Sequence, residues 1–342
     1  MRLAALSRFA AVRGADPWYD GVVHRHPSNP ILTRLSIPDV PPHVVDATSV
    51  FNPGAIRIGG EVVLLLRVQT RGRRTFFMRA ESRDGVSFRV RPEIVRVEGL
   101  EASGLDVYHV YDPRLTRLGG DVYATFAADT EDGCRVGVAK LVGVDRLEVV
   151  SFSRDVDSRN AVLFPEKIGG RWLRLERPNR VRLASGPMTG DAIWLAESDD
   201  LVEWRLVQPV LSGRLHFWDE LVGSGPPPLK TERGWLHVYH GVATHFASSN
   251  IYQAGVCLLD RDDPGRLLAR GRDNVLEPRE TWEMVGQVPN VVFPSGMIAD
   301  DVDQAGFARP ESRVLVYYGA ADTVVGLAET TVAALLEACD AS

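Results

Sequence analysis

The sequence has little cysteine and no long apolar run. Its three cysteines, Cys134, Cys257 and Cys339, are widely spaced. An odd number without a C-x-x-C pair argues against a disulfide framework and is typical of a reducing compartment. No apolar run approaches the roughly 20 residues that a membrane span needs, and arginines interrupt the N-terminal stretch where a signal peptide would have its apolar core. We therefore expect a soluble, cytoplasmic protein.

The sequence also lacks a block of basic residues. Its formal net charge is −6, which argues against nucleic acid as a partner. A chain of 342 residues, 45% of them hydrophobic, is long enough to bury a sizeable core. Histidines at alternate positions near the N-terminus have no third ligand close by, so no metal is expected, and no sequence motif implies an organic cofactor.

Sustained helical periodicity is nearly absent, and one pattern recurs five times instead. Each copy has a Pro/Gly turn, a Gly-rich hairpin and an apolar strand, followed by a second strand-like run. The copies begin at Asn52, Tyr111, Leu163, Gly225 and Phe293. Five sheets of about four strands each describe a β-propeller, and a β-sandwich with accidental similarity is the weaker alternative.

The sequence thus predicts an all-β fold, a five-bladed β-propeller with a short C-terminal helix. We assign residues 29–342 to a single catalytic propeller domain. Residues 1–28 lie outside the repeats and form an N-terminal extension that could pack against a neighbouring copy in a homo-oligomer.

Polar residues recur where the repeats would bring them to the entrance of the central channel. Such residues beside apolar strands are costly unless they pair or bind a ligand. The predicted set is Asn52, Arg67, Asp112, Asp129, Arg159, Asn160, Lys167, Glu176, Arg177, His240 and Asp322. The aromatic residues expected among them are Tyr111, Trp172, Trp218, Trp235 and Tyr239.

Carboxylates beside aromatic rings suit a sugar, because the rings stack on its apolar faces. Cleavage of a glycosidic bond needs an acid, and hydrolysis needs a second carboxylate as base or nucleophile. If phosphate attacks instead, a basic cluster must hold that anion, and Arg67, Arg159, Asn160 and Lys230 are the candidates. The alternative for each arginine is a structural ion pair, and His240 could equally be a satisfied core histidine.

Asp112 stands out in the stretch "VYDPRLTRLGG". A capping role in a turn is the ordinary reading of such an aspartate. It is less natural here, because the next residue is Pro113, which has no N–H to offer.

Several motifs resemble those of glycoside hydrolase family 130. They include "FNPGAI", "VYDPRLT", "SRNAVLFPEKIGGRWLRLERP", "GSGPPPLKTERGWLHVYHGV" and "YYGAAD", and the resemblance runs over residues 29–328. Members of that family are five-bladed β-propellers that mostly act as inverting β-mannoside phosphorylases. The resemblance implies that Asp112 is the proton donor, working through the 3-hydroxyl of a bound mannose. Phosphate would then attack the anomeric carbon from the opposite face.

The resemblance also implies two sets of binding residues. The phosphate-binding positions are Arg67, Arg159, Asn160 and Lys230. The substrate-binding positions that it implies are Asn52, Tyr111, Glu176, Arg177 and Asp322, and we add His240 from its place in the repeat.

The spellings "YDPR" and "LERP" most resemble the branch that acts on 4-O-β-D-mannosyl-D-glucose. That branch predicts α-D-mannose 1-phosphate and glucose as products. The alternatives are a different acceptor (N-acetylglucosamine or a manno-oligosaccharide), a β-mannosidase with Glu176 or Glu220 as base, and a catalytically silent propeller.

Overall fold

The chain folds into five consecutive antiparallel blades, as the repeats predict. The computed structural model describes residues 21–182, 188–245 and 249–340. The first strand of each blade contacts the first strands of other blades, so these five strands surround the central channel. Among the described residues, no helix is long and apolar enough to cross a membrane.

The chain enters through β1 and then builds blades 1 and 2. Their elements are β1 (His24–Arg25), a 3-10 helix (Arg34–Ser36), β2 (Ser49–Ile58), β3 (Glu61–Gln69), β4 (Thr75–Ser82), β5 (Arg89–Glu98), a 3-10 helix (Leu100–Ser103), β6 (Val107–Leu118), β7 (Asp121–Thr130), β8 (Gly133–Val142) and β9 (Arg146–Phe152). The outer strands β5 and β9 pair in parallel and join both blades into one eight-stranded sheet.

Blades 3 to 5 complete the ring. Their elements are β10 (Ser158–Leu163), β11 (Trp172–Pro178), β12 (Val181–Arg182), β13 (Met188–Thr189), β14 (Ala192–Ser198), β15 (Arg205–Ser212), β16 (Leu221–Ser224), β17 (Leu229–Thr231), β18 (Gly234–Ala243), β19 (Ile251–Leu259), β20 (Leu267–Arg270), α1 (Thr281–Met284), β21 (Val292–Ala299), β22 (Arg313–Ala320), β23 (Val324–Thr331) and α2 (Val332–Asp340). The last of these is the predicted C-terminal helix.

The N-terminal strand closes the ring. In β1, His24 pairs with Glu329 and Arg25 with Ala328, so this strand is the outermost one of blade 5. The predicted boundary at residue 29 is therefore too late, because residues 24–25 belong to the propeller. Residues 1–20 of the predicted extension lie outside the described part of the chain.

The core lies between the blades. Successive side chains of a strand point to opposite faces, so Leu64 and Leu66 of β3 pack toward blade 5 while Leu65 packs toward blade 2. Strands buried on both faces read as continuous apolar runs. That is why "EVVLLLRV" shows no alternation.

Three inner strands carry an irregularity at the same place. The pairing register shifts between Phe51 and Gly54, between Tyr111 and Arg114, and between Arg159 and Val162. Inside these shifts, Asn52, Asp112 and Asn160 have φ values of 48°, 52° and 55°. Asn and Asp adopt this left-handed conformation more readily than most residues do. The segments that we predicted as turns before strands are thus bulges within strands, and a bulge redirects its side chain.

The closure by β1 leads to a stability prediction. Arg25 donates to Glu283, which is fully buried, at 2.8 and 2.7 Å. Arg25→Met leaves this carboxylate without its cation, and we expect a loss of about 3 kcal/mol in the free energy of unfolding. Urea unfolding of the full chain measures this loss. Arg233→Met is the control, since it removes an exposed ion pair with Asp340 and should change stability little. Equal losses in the two variants would contradict the role given to β1.

Candidate active site

The three bulges open on one pocket of about 290 Å³ at an end of the central channel. The inner strands contribute their N-terminal halves, and the second strands contribute their C-terminal ends, because the two run antiparallel. Every predicted polar residue except Lys167, Glu176 and Lys230 lines this pocket, and of the predicted aromatic residues Tyr111 does. The lining residues are Asn52, Arg67, Tyr111, Asp112, Asp129, Arg159, Asn160, Arg177, His240, Tyr252, Val288, Val291, Phe293 and Asp322.

Asp112 is held by groups from blade 1. Its Oδ1 accepts hydrogen bonds from Asn52 Nδ2 at 2.8 Å and from Arg67 Nη1 at 2.9 Å. Burial would raise the pKa of this carboxyl, but the charges of Arg67 and Arg114 and the amide of Asn52 outweigh burial and lower it. In the unliganded pocket, Asp112 is therefore ionised at neutral pH.

Asn52 lies where blade 5 leaves room for it. A Cβ atom at Gly319 would come within 1.9 Å of Asn52 Oδ1. Glycine at that position allows the amide to sit deep in the channel, beside Asp112. The first bulge and blade 5 thus fix the amide that holds the carboxyl.

Aromatic rings hold Arg67 in place. Its guanidinium carbon lies 4.4 Å from the ring centroid of Phe51 and 4.7 Å from that of Tyr111. Tyr111 in turn donates its hydroxyl to Asp129 at 2.7 Å. Thr75 donates its hydroxyl to the carbonyl oxygen of Val110 at 2.9 Å. These contacts fix both the ion pair and the strand that carries Asp112.

Arg159 and Arg177 form a positively charged side of the pocket. In the described part of the chain, neither guanidinium has a carboxylate within ion-pair distance, and the Nε atom of each is buried without a hydrogen-bond partner. Burial, together with the charge of Arg159, lowers the pKa of Arg177 to about 10. Arg159 has its pKa raised, because Tyr111 and other nearby groups outweigh its burial. Two neighbouring buried cations suit an anionic ligand.

Asp322 and His240 complete the polar lining. Burial raises the pKa of Asp322 to about 6, with Asp112 adding to the effect and Arg67 opposing it. Burial lowers the pKa of His240, and Arg177 and Arg114 lower it further, so its imidazole is neutral. The pocket therefore holds two carboxyls whose pKa values lie apart, an arrangement that suits proton transfer.

Lys230 and Glu176 lie elsewhere, which corrects the predicted convergence. Lys230 Nζ lies 2.7 Å from Glu166 in a separate cleft that Lys167 also lines. Both lysines come too late in the chain, because the inner strand runs away from the pocket after the bulge. Glu176 is paired with Arg174 in a cleft between blades 2 and 3. It neighbours Arg177 on a strand, and neighbouring side chains point to opposite faces.

The sequence reasoning missed several residues of the site. Tyr252 and Phe293 supply the pocket's aromatic surface together with Tyr111, whereas the expected Trp235 is buried in the core between blades 3 and 4. Arg114 lies beneath the pocket, buried two residues after Asp112. Its only sequence signal was its place in "DPR", two residues after Asp112.

Comparison with known proteins identifies the family. A family model described as beta-1,4-mannooligosaccharide phosphorylase, of glycoside hydrolase family 130, matches residues 22–341. A 1,2-beta-oligomannan phosphorylase of Thermoanaerobacter is 33% identical over 301 residues, covering 83% of this chain and 90% of that protein. A 4-O-beta-D-mannosyl-D-glucose phosphorylase of Bacteroides fragilis is 30% identical over 312 residues, covering 86% and 76%.

A solved structure shows the same fold. The Listeria innocua beta-1,2-mannobiose phosphorylase superimposes with a TM-score of 0.77 at 24% identity, covering 94% of this chain and 99% of that one. Fold and pocket together define a glycoside-processing enzyme built on a five-bladed β-propeller. The chain belongs to glycoside hydrolase family 130, a family of glycoside phosphorylases, which are hexosyltransferase-type enzymes.

The raised pKa of Asp322 leads to a prediction about stability and pH. Its pKa is about 6 in the folded protein against an ordinary value of 3.8. The folded protein therefore holds this proton more tightly than the unfolded chain does. The free energy of unfolding falls as the pH rises from about 4 through 6, because ionisation favours the unfolded chain. Asp322→Asn removes this loss, so we expect the variant to be more stable at pH 8 by about 3 kcal/mol, with the difference gone by pH 4.

Denaturant unfolding of wild type and variant at several pH values measures this difference. The exposed Asp132→Asn substitution is the matched control, and it should not alter the pH dependence. A stability difference between wild type and Asp322→Asn that stays constant from pH 4 to pH 8 would contradict the burial argument.

Proposed function

We propose that this protein is an inverting phosphorylase that cleaves 4-O-β-D-mannosyl-D-glucose with inorganic phosphate. The observation that carries the proposal is the division of charge in the pocket. The hydrogen-bonded carboxyl of Asp112 comes from one bulge, while Arg159 and Arg177 stand without carboxylate partners within the described residues. A proton donor and an anion site in one sugar-sized pocket are the two parts that phosphorolysis needs.

The phosphate side consists of Arg159, Arg177 and Asn160. The two guanidinium groups offer donors in the planar arrangement that suits a phosphate. Asn160 lies beside Arg159 on the third bulge and adds an amide. A bound phosphate would relieve the repulsion between the two arginines. Arg177 takes the place in this set that the sequence gave to Lys230.

The acid side consists of Asp112 with Asn52 and Arg67. Asp112 is ionised in the unliganded pocket because arginines lower its pKa. A phosphate dianion counteracts this positive potential, and a sugar removes water, so both ligands raise the pKa of Asp112. Asp112 therefore takes up its proton as the substrates bind. Asp322, with its pKa raised to about 6, can take up a proton nearby at slightly acidic pH.

The reaction balances without any other reactant. A phosphate oxygen forms a bond to C1 of the mannose as the bond from C1 to O4 of glucose breaks. Asp112 supplies the proton to the leaving oxygen through the 3-hydroxyl of the mannose, and the proton of the hydrogen phosphate restores Asp112. The products are glucose and α-D-mannose 1-phosphate. No metal or organic cofactor takes part, since arginines hold the attacking anion and a carboxyl moves the proton.

Two alternatives depend on the acceptor and on the base. The relatives are named for both 1,2-linked and 4-O-linked β-mannosides, so an oligomannoside or N-acetylglucosamine acceptor is the closest alternative. Hydrolysis was predicted to use Glu176 or Glu220 as base. Glu176 lies in the cleft between blades, and Glu220 accepts a hydrogen bond from Thr244 in a separate groove. Neither lines the pocket, which favours phosphate as the attacking group.

The remaining parts of the proposal concern the location of the protein, its partners and its oligomeric state. All three cysteines are buried and free of disulfides, and a cytoplasmic location suits such cysteines. The partners are an oligosaccharide and phosphate. Assembly into a homo-oligomer stays a prediction.

The anion site is tested by replacing its arginines. Arg177→Met and Arg159→Met each remove a donor pair from the phosphate, so we expect the KM for phosphate to rise by about 10- to 100-fold. Initial rates of mannose 1-phosphate formation at varied phosphate measure this change. Lys230→Met is the matched control, because its ammonium pairs with Glu166 outside the pocket, and its phosphate KM should stay at the wild-type value.

The opposite order of phosphate KM values among these variants would contradict the assignment of the anion site to Arg159 and Arg177. A Lys230→Met enzyme with a raised phosphate KM, beside arginine variants that keep the wild-type value, would place the anion elsewhere. Far-ultraviolet circular dichroism of each variant shows whether the propeller is intact, so that lost folding is not counted as lost binding.

A further inference from the structure

Arg114 is buried at the base of the pocket and makes unusual contacts. Its residue is 1% exposed. Its Nη1 donates to the carbonyl oxygen of Asp112 at 2.6 Å, and its Nε donates to the carbonyl oxygen of Gly225 at 3.2 Å. In the described part of the chain, no carboxylate lies within ion-pair distance of this guanidinium. Both hydrogen bonds therefore go to main-chain atoms.

These contacts connect the bulge at Asp112 to other blades. Gly225 belongs to blade 4, and the guanidinium carbon of Arg114 lies 5.3 Å from the ring centroid of Phe293 in blade 5. From blade 1, Gly54 packs so closely that a Cβ atom there would lie 2.8 Å from the carbonyl oxygen of Pro113. Arg114 thus links the bulge to blades 4 and 5, and Gly54 of blade 1 packs against the residue that follows Asp112.

The bulge needs such support. A left-handed residue other than glycine costs about 1 kcal/mol, and Pro113 has no N–H with which to stabilise the turn. Asp112 has no partner residue on β7, because the register shifts between Tyr111 and Arg114. Its carbonyl oxygen accepts from Arg114 Nη1 instead. The guanidinium of Arg114 satisfies this oxygen, and a buried carbonyl must find a donor.

The charge of Arg114 reaches Asp112 as well. Burial lowers the pKa of Arg114 to about 10, so it remains a cation at neutral pH. Its charge, after that of Arg67, helps to lower the pKa of Asp112.

We propose that Arg114 is a positioning residue for Asp112, which acts from beneath the pocket through the main chain of the bulge and through its buried charge. Its two hydrogen bonds fix the backbone that aims the carboxyl of Asp112 into the pocket. The inference rests on the proposed function, in which Asp112 is the proton donor. It adds a residue that touches neither sugar nor phosphate.

The test compares Arg114→Met, Arg114→Lys and Arg117→Met in the full chain. Arg117 lies on the same strand, is exposed and donates to the carbonyl oxygen of Arg57, so its variant should match wild type. For Arg114→Met we expect kcat for phosphorolysis to fall by about 10- to 100-fold, with the KM for phosphate nearly unchanged. The basic limb of the pH profile should move to higher pH, because loss of the cation raises the pKa of Asp112.

A second readout needs no turnover. Carbon-13 NMR of labelled aspartate carboxyls, with the Asp112 signal assigned through Asp112→Asn, follows the titration of Asp112. We expect a higher pKa in Arg114→Met and a value near wild type in Arg114→Lys, which keeps the charge but loses the paired hydrogen bonds and part of kcat.

The outcomes separate the two proposals. An Asp112 titration in Arg114→Met that equals wild type overturns the role of Arg114, even if kcat falls. If Arg114→Met does not fold, Arg114→Lys decides, and wild-type kcat in that variant overturns the role. If wild type forms no mannose 1-phosphate, the proposed function fails, while the NMR titration still tests Arg114.

Discussion

The left-handed bulge of the inner strands is the constraint on which the pocket depends. In a regular strand, consecutive side chains alternate between faces, and the inner strand of a blade would direct its side chains into the interfaces with neighbouring blades. At Asn52, Asp112 and Asn160 the bulge redirects a polar side chain instead. The propeller places three such bulges around one axis. The amide of Asn52, the carboxyl of Asp112 and the amide of Asn160 in the anion site therefore meet in one pocket.

The positively charged groups of the pocket have different surroundings. Arg67 is ion-paired with Asp112 and lies against two aromatic rings. Among the described residues, Arg159 and Arg177 have no carboxylate within ion-pair distance. Carboxylate partners for these two arginines would stabilise the protein, yet they would occupy the position that the anionic ligand takes. The structure thus gives up some stability where a charged ligand is expected to enter, as active sites commonly do.

Much of this could be read from the sequence, because the repeats fix the architecture. Five copies of a turn, hairpin and strand pattern predicted the blades, and a residue's place in its copy predicted Asn52, Asp112 and Arg177 at the channel. The sequence did not reveal how far along a strand a side chain lies, or toward which face of the strand it points. Lys230 lies too far along its blade to reach the pocket, and a sequence motif does not show this distance.

Glu176 and the N-terminal boundary failed for related reasons. Glu176 is next to Arg177 in sequence, but pleating turns it toward another cleft. The strand His24–Arg25 is too short to show a pattern of its own. Its pairing depends on a partner some 300 residues away in the chain, which only the closed ring brings beside it.

The most direct test of the central claim is the product formed from 4-O-β-D-mannosyl-D-glucose with and without inorganic phosphate. Phosphorus-31 and proton NMR distinguish α-mannose 1-phosphate from free mannose. We predict mannose 1-phosphate with phosphate and no cleavage without it. Free mannose released equally under both conditions would contradict the account, because Asp112 would then act with water and the paired arginines would need another explanation.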